Sequence, residues 1–219
     1  RIEWDIRTDW GYMRPSAGYR YTSYNLDWPG DLGDDSPDRG TEIISFDTGM
    51  FMERYGKSGN VQTLEPLQFY LYVPFKEQSD LPDFDSAPFT IGFSQLIHFK
   101  PFTGPDSQSD ANQLTLALTT RSINQRLGRE LWSLSFGQIV YFEDQRVQPA
   151  GSEPLDDSAS PFIAEFVLHP TRRISSRLAA QWDWQNSEFD VATLGVTYRS
   201  AKGRRLGAEY RFRRDSLDQ

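Results

Sequence analysis

The feature that most constrains this chain is a period-two alternation of apolar and polar residues, while helical periodicity is almost absent. At the start of the chain, Ile2, Trp4 and Ile6 fall on one face, with charged residues between them. The same alternation returns at 173–184 and at 205–213. Because successive side chains of a β-strand point to opposite faces, the pattern predicts strands with one apolar face and one polar face.

We predict about ten strands from this alternation. They are 2–10, 13–26, 41–55, 61–75, 113–121, 131–143, 161–169, 173–184, 189–199 and 205–213. The stretch 61–75 is apolar on both faces, so its register cannot be assigned from sequence. Pro66 and Pro74 within it lack the N–H that a strand donates, which predicts an edge, a bulge or a strand end there.

The predicted connections alternate between short and long along the chain, with 27–39, 76–110 and 145–160 as the long ones. The single exception is 185–188, where the alternation requires a long loop and the sequence has a tight turn. In an up-and-down barrel every second connection emerges on the same side, and outer-membrane barrels carry short turns on one side and longer loops on the other.

These features predict an all-β fold, namely an antiparallel up-and-down transmembrane β-barrel segment that spans 1–219 as one unit. Several strands exceed the ~5–6 residues usual in soluble sheets and approach the ~9–11 residues of a tilted transmembrane strand. Two alternatives stay open. One is a soluble, carbohydrate-binding β-sandwich, and the other is a small self-closed porin or adhesin barrel in which 2–10 pairs with 205–213.

Composition narrows the functional classes. The chain has no apolar run near the ~18–20 residues of a spanning helix, and it has no cysteine for a disulfide or thiolate metal site. Its formal net charge is −8 and neither sign is concentrated in a tail, which disfavours a nucleic-acid-binding surface.

Charged residues on the polar faces are the first candidates for a functional site. Guanidinium groups bind phosphate in a bidentate fork, so arginines lining a barrel interior would suit phosphate-bearing groups. The candidates are Arg7, Arg20, Arg177, Arg211 and Arg213. The alternative is a set of cross-strand ion pairs with acidic residues on the same faces, namely Glu3, Asp5, Asp9, Asp183 and Glu209.

Two further sets of residues carry weaker signals. Asp31, Asp34, Asp35 and Asp38 form an acidic loop that offers oxygen ligands to a divalent cation, although it lacks the spacing of a calcium-binding loop, so no firm metal site is predicted. The two histidines, His98 and His169, would serve an outer-membrane enzyme only if the fold brought one beside a carboxylate or serine. We expect no catalytic residue and no cofactor.

Several segments together resemble the LptD family of lipopolysaccharide-assembly proteins. They are GYRYTSYNL at 18–26, LEPLQFYLYVPF at 64–75 with KEQSDLPDFDSA at 76–87, DANQLTLALTTR at 110–121, GRELWSLSFGQIVYFEDQRV at 128–147 and YRFRRD at 210–215. The most specific part runs from 64 to 147.

The resemblance implies an outer-membrane barrel of a Gram-negative bacterium that inserts lipopolysaccharide into the outer leaflet without making or breaking a bond. It also implies several partners: lipopolysaccharide, an LptE-like lipoprotein plug, the remaining barrel strands, a periplasmic jelly-roll domain and outer-membrane lipid. The jelly-roll domain does not lie within this chain, and the matched segments resemble an interior run of the barrel. The resemblance therefore implies that the chain is part of a larger barrel.

Overall fold

The structure, a computed structural model, describes residues 1–23, 38–56, 59–76, 92–96, 110–144, 146 and 158–214. The described residues form one antiparallel sheet of twelve strands, which confirms the all-β, up-and-down prediction. The strands are β1 Ile2–Glu3, β2 Ile6–Thr8, β3 Gly11–Ser23, β4 Asp38–Met50, β5 Met52–Tyr55, β6 Asn60–Val73, β7 Ala111–Asn124, β8 Arg129–Tyr141, β9 Phe162–Leu168, β10 Ile174–Asp183, β11 Glu188–Arg199 and β12 Arg205–Arg213.

Each strand pairs with its neighbours in chain order, and the sheet is not closed. β1 and β2 both pair with β3, and β4 and β5 both pair with β6. β1 and β2 follow the same register along β3, and only a short break in the pairing separates them. The same holds for β4 and β5 along β6. Taking each interrupted pair as one strand gives the ten strands expected. Within the described part of the chain β12 pairs with β11 alone, so the closure of 2–10 onto 205–213 does not form.

The connections divide the sheet into two ends. At one end, here called the short-turn end, lie the connections 9–10, 56–59, 125–128, 169–173 and 200–204. At the other, the long-loop end, β3, β6 and β8 end and β4, β7 and β9 begin, so that 24–37, 74–110 and 142–161 join the strands there, together with the tight turn 184–187. The alternation and its one exception therefore stand as expected.

Continuous pairing aligns the alternating residues of all strands into two faces. Ile2, Ala17, Ile44 and Tyr72 are successive cross-strand partners and lie on the face here called the apolar face. It continues through the even-numbered residues of β7 to β12, apart from local shifts at Ser122/Ile123 and Gln181/Trp182. The opposite face, here called the polar face, carries most of the charged residues of the strands.

From β3 to β9, exposure on the two faces is the reverse of that in a water-soluble sheet, while in β10 to β12 no residue of either face is buried. On the apolar face, Ile44, Leu178 and Leu194 are 49%, 48% and 49% exposed. On the polar face, Thr115 is 0% exposed and Ser135 is 9% exposed. A continuous band of exposed apolar side chains this large requires a covering surface, because soluble monomers rarely leave such a patch in water.

The structure fixes the register of the stretch that is apolar on both faces. In β6, Leu64, Tyr70 and Tyr72 lie on the apolar face, whereas Phe69 and Leu71 lie on the polar face. Phe69 and Leu71 pack with Val73 and Ala111 in a buried cluster, joined by Ile43 and Leu67. β6 is apolar on both sides because its polar-face residues form a local core near the long-loop end.

A short segment of the connection after β6 lies against the polar face. Phe93–Gln95 forms a single 3-10 turn, and Leu96 directly after it is 1% exposed. Leu96 packs with Ile139 and Ile163, and its carbonyl oxygen accepts a hydrogen bond of 3.1 Å from the Thr115 hydroxyl. At Gly137 an added Cβ would lie 2.9 Å from Leu96 Cδ1, so the glycine leaves room for this segment, here called the docked segment (92–96).

Two prolines account for the interruptions between collinear strands. Met50 stands opposite Pro66, and Trp4 stands opposite Pro15, if the flanking registers are continued. Proline has no N–H, so the ladder loses a hydrogen bond at each position. Trp4 still donates its amide to the Pro15 carbonyl at 3.1 Å. Pro66 is therefore accommodated inside the sheet by a gap in one ladder, while Pro74 follows the end of β6.

Replacing Pro66 with alanine restores the missing donor. Phe51 donates its amide to Trp10 O at 2.7 Å on the β3 side, so the Met50 peptide groups face β6 and its carbonyl can accept the new N–H. We expect Pro66→Ala to have an unfolding free energy about 1 kcal/mol above that of Pro74→Ala in the intact protein in detergent, measured by urea titration. Pro74→Ala, outside the ladder, is the control, because both variants lose the restriction that proline places on the unfolded chain. A midpoint for Pro66→Ala at or below that of Pro74→Ala would contradict this account of the gap.

Removing the buried contact of the docked segment should release it. Leu96→Ser deletes a fully buried side chain, a change that typically costs about 2–5 kcal/mol, and so should increase the undocked population. Chymotrypsin should then cleave after Phe93 faster in the folded protein. Leu127→Ser removes a leucine that is 48% exposed in a short turn, and it should not change the cleavage rate. Equal rates for wild type and Leu96→Ser would show that Leu96 does not hold the segment.

Candidate functional site

The predicted arginines lie on the polar face. Arg7 is on β2, Arg20 on β3, Arg177 on β10, and Arg211 and Arg213 on β12. Arg7 hydrogen-bonds both carboxylate oxygens of Asp5, at 3.0 and 2.9 Å, and Arg211 lies 3.4 Å from Glu209. Both pairs are exposed and join residues two positions apart in the chain, so each contributes well under about 1 kcal/mol to stability. Arg213 has no ion-pair partner among the described residues.

Other members of the predicted set take different partners. Arg177 pairs with Glu165 on β9, an acidic residue outside the predicted set. Asp183 accepts hydrogen bonds from the backbone amides of Gln185 and Asn186, at 2.8 and 3.2 Å, which closes the tight turn at 184–187. Glu3 pairs with Arg1 at 2.7 Å. The predicted arginines are spread across the sheet, and the structure does not bring the five together into one site.

One polar-face cluster was missed by the sequence analysis. Arg14 and Asp47 are direct cross-strand partners, and their side chains are 2.6 Å apart. The Tyr12 hydroxyl donates to the same carboxylate at 3.0 Å, and the Arg14 guanidinium lies over the Tyr12 ring, 4.5 Å from its centroid. The ring also covers Gly49, where an added Cβ would be 2.6 Å from it. Tyr12 and Arg14 are two residues apart, so the alternation could have placed them on one face. Their pairing with Asp47 could not be predicted, because it depends on the β3–β4 register across the 24–37 connection.

A second charged cluster lies further along the polar face. Arg121 of β7 is 3.1 Å from Glu65 of β6 and 3.4 Å from Glu130 of β8, so one guanidinium bridges two neighbouring strands. Thr63 also donates to Glu65 at 2.8 Å. A cavity of about 210 Å³ adjoins this cluster and is lined by Glu65, Arg121 and the docked-segment residue Phe93. Acidic and basic side chains here neutralise each other beside an apolar wall.

A larger cleft, of about 390 Å³, opens at the short-turn end of β8 to β11. Its basic lining residues are Arg129, His169, Arg172, Arg173 and Arg199. Glu130 is the acidic residue of the lining. His169 is held in place by its backbone amide, which donates to Leu131 O at 2.8 Å, and no carboxylate or serine hydrogen-bonds its ring among the described residues. The pairing of a histidine with a carboxylate or a serine, which the enzyme alternative requires, is therefore not formed at His169 in the ranges that the structure describes.

The other predicted residues fall largely outside the described ranges. Asp31, Asp34, Asp35 and His98 are not among the described residues, and Asp38 is described only as the first residue of β4, paired with Ser23. Within the described ranges no three His, Cys, Asp or Glu side chains are grouped as a metal site requires. The cation-binding loop therefore stays a prediction.

No helix in the described part of the chain has the length and apolarity needed to cross a membrane.

Comparison with known proteins assigns the chain to a family. The family model described as LPS transport system D matches residues 1–219. The LPS-assembly protein LptD of Nitrosococcus oceani is 42% identical over 98% of this chain and 29% of its own length. That of Nitrosomonas eutropha is 37% identical over 98% of this chain and 30% of its own length. That of Xylella fastidiosa strain 9a5c is 38% identical over 94% of this chain and 27% of its own length.

The chain thus spans less than a third of the length of these relatives, while the family match runs over all of its residues. The up-and-down topology and the open sheet edges agree with a segment of a larger barrel. The chain belongs to the LptD family of LPS-assembly proteins.

Proposed function

We propose that this chain forms part of the barrel wall of a lipopolysaccharide translocon in the outer membrane of a Gram-negative bacterium. The observation that carries the proposal is the reversed exposure of the two faces: the apolar face is open along the sheet, while the polar face holds the charged side chains and the docked segment. Such a sheet suits a wall with hydrocarbon on one side and water on the other.

The distribution of charge supports this orientation. Among the side chains that the structure describes, the charged residues with apolar-face register are confined to places near strand ends, at Glu42, Arg54 and Arg129. A charge at the centre of the bilayer costs several kcal/mol, so a lipid-facing surface is expected to exclude it there. A soluble sandwich has no such requirement on its outer face.

Aromatic residues on the apolar face support the same orientation. Near the long-loop end, Trp182 and Phe189 make an edge-to-face contact with ring centroids 4.6 Å apart, and Phe136 stacks with Phe162 at 6.0 Å. Tyr70 and Phe142 lie 6.4 Å apart at the same end. Aromatic side chains concentrate at membrane–water interfaces, so this row fits the outer girdle of a barrel.

As a wall segment, the chain requires further strands and meets several partners. The chain acts as one wall segment over 1–219 in transport, and we assign it no catalytic role. Strands outside this chain complete the barrel by pairing with the open edges at β1–β2 and β12, since lipid cannot satisfy unpaired backbone groups. The polar face lines the lumen, where Arg7, Arg20, Arg177, Arg211 and Arg213 meet water, lipopolysaccharide or an LptE-like lipoprotein plug. A periplasmic jelly-roll domain delivers the lipid.

Adjacent residues of β10 provide a test of which face meets lipid. Leu178 lies on the apolar face, and Ala179 lies on the polar face opposite Glu165. In the intact protein folded into vesicles, Leu178→Arg should lower the unfolding free energy by about 2–4 kcal/mol, the range for a lipid-facing arginine near the bilayer centre. Urea titration with heat-modifiable gel migration as the readout of folding measures this loss.

Ala179→Arg is the matched control, because it adds the same side chain one residue away and places it beside a carboxylate. We expect it to change the unfolding free energy by less than about 1 kcal/mol. If Leu178→Arg were tolerated while Ala179→Arg prevented folding, the faces would be assigned the wrong way round and the soluble-sandwich reading would be favoured.

A further inference from the structure

The cleft at the short-turn end of β8 to β11 has more basic than acidic side chains in its lining. Arg129, Arg172, Arg173 and Arg199 line it, with Glu130 as the acidic residue of the lining. Glu130 already lies 3.4 Å from Arg121, so the carboxylate is shared with a guanidinium outside the cleft. The lining is therefore strongly electropositive.

In the described part of the chain, the four arginines of the cleft lack the carboxylate partners that several arginines elsewhere in the strands have. Arg14, Arg121 and Arg177 each have a carboxylate within ion-pair distance. None of the four cleft arginines has one among the residues that the structure describes. Arg129 Nε is also buried without a hydrogen-bond partner there. A buried donor without an acceptor is unfavourable, so an anion that fills the cleft would gain interactions that this protein surface lacks.

The backbone around the cleft is fixed by its own hydrogen bonds. The Thr171 hydroxyl accepts from the amides of Arg173 and Ile174, both at 3.2 Å, and so closes the 169–173 turn. Arg199 donates its amide to Arg173 O at 2.7 Å, which ties β11 to this turn. Basic residues from three connected segments are thus held around one space before any ligand arrives.

We propose that this cleft is a binding site for a phosphate group, as a monoester or a diphosphate. Phosphate offers several oxygens and up to two negative charges, and guanidinium groups bind it in bidentate pairs. A single carboxylate would occupy one guanidinium and leave the others uncompensated. The site goes beyond the proposed function, since it needs only the cleft and its arginines. A soluble anion and a lipid headgroup both present such a phosphate, and the chemistry of binding is the same for both.

Binding is tested on the intact protein purified in nonionic detergent at low ionic strength. Isothermal calorimetry is run with inorganic pyrophosphate in one arm, and with mixed micelles carrying diphosphorylated lipid A in the other. Detergent micelles alone serve as the blank. Arg173→Gln and Arg199→Gln should each weaken binding about tenfold or more, because each removes a charge-assisted hydrogen-bonding group.

Arg54→Gln is the matched control, since Arg54 lies at the same short-turn end but outside the cleft, on the apolar face. Its guanidinium donates a hydrogen bond of 2.6 Å to the Gln62 side chain. It should bind like wild type. Binding of pyrophosphate alone would assign a soluble anion, and binding of the lipid micelles alone would assign a headgroup; either supports the site.

Several results would overturn the proposal. They are no binding in either arm, full binding by both Arg173→Gln and Arg199→Gln, or an equal loss in Arg54→Gln. Heat-modifiable gel migration checks that each variant is folded. If Arg173→Gln fails to fold, Arg172→Gln takes its place, because Arg172 is an exposed residue of the same turn.

Discussion

The rest of the structure depends on one constraint, the continuous antiparallel register that runs from β1 to β12. Cross-strand partners lie on the same face of the sheet. The face occupied by each residue of one strand therefore determines the faces of the residues in the next strand. The register shifts only at Ser122/Ile123 and Gln181/Trp182 among the described ladders, both close to strand ends. Short apolar stripes on separate strands therefore merge into one apolar face. A slip of a single residue in any ladder would place charged side chains on that face.

The prolines show how this register survives local defects. Pro15 and Pro66 each remove a donor, and the strand opposite each is interrupted, yet pairing resumes beyond the gap without a shift. The sheet therefore accepts missing hydrogen bonds more readily than a changed register. A missing bond affects one pair of residues, whereas a changed register would move every later side chain of the strand to the wrong face.

Much of the fold follows from sequence because period-two alternation is a local property. The strands, the two faces and the short and long connections were all readable from residue order. Three features were not. The register of β6 depends on which apolar face packs against Ala111, the docking of Leu96 depends on the space at Gly137, and the Arg14–Asp47 pair depends on a hairpin register across a long loop. Each is set by contacts between residues distant in sequence.

The candidate site was predicted less well than the fold for the same reason. The alternation identified arginines on the polar face but not their individual partners, and Glu165, which pairs with Arg177, was not among the predicted acidic partners. The sequence did not indicate the short-turn cleft, because its arginines come from the ends of β8 and β11 and from the 169–173 turn, which only the folded sheet brings together. Sequence indicates which face a charge occupies, while tertiary structure decides whether that charge is neutralised.

The most direct test of the central claim is an accessibility scan along β11, Glu188–Arg199, in the intact protein reconstituted into lipid vesicles. This chain has no cysteine, so single cysteines introduced into it have no competing thiol within the chain. Nitroxide labels at Ala192, Leu194 and Val196 should be reached preferentially by oxygen, which concentrates in the bilayer. Labels at Thr193, Gly195 and Thr197 should be reached preferentially by a water-soluble nickel chelate. If accessibility showed no period of two, or if both faces were equally open to the chelate, the account of a wall between lipid and water would be contradicted.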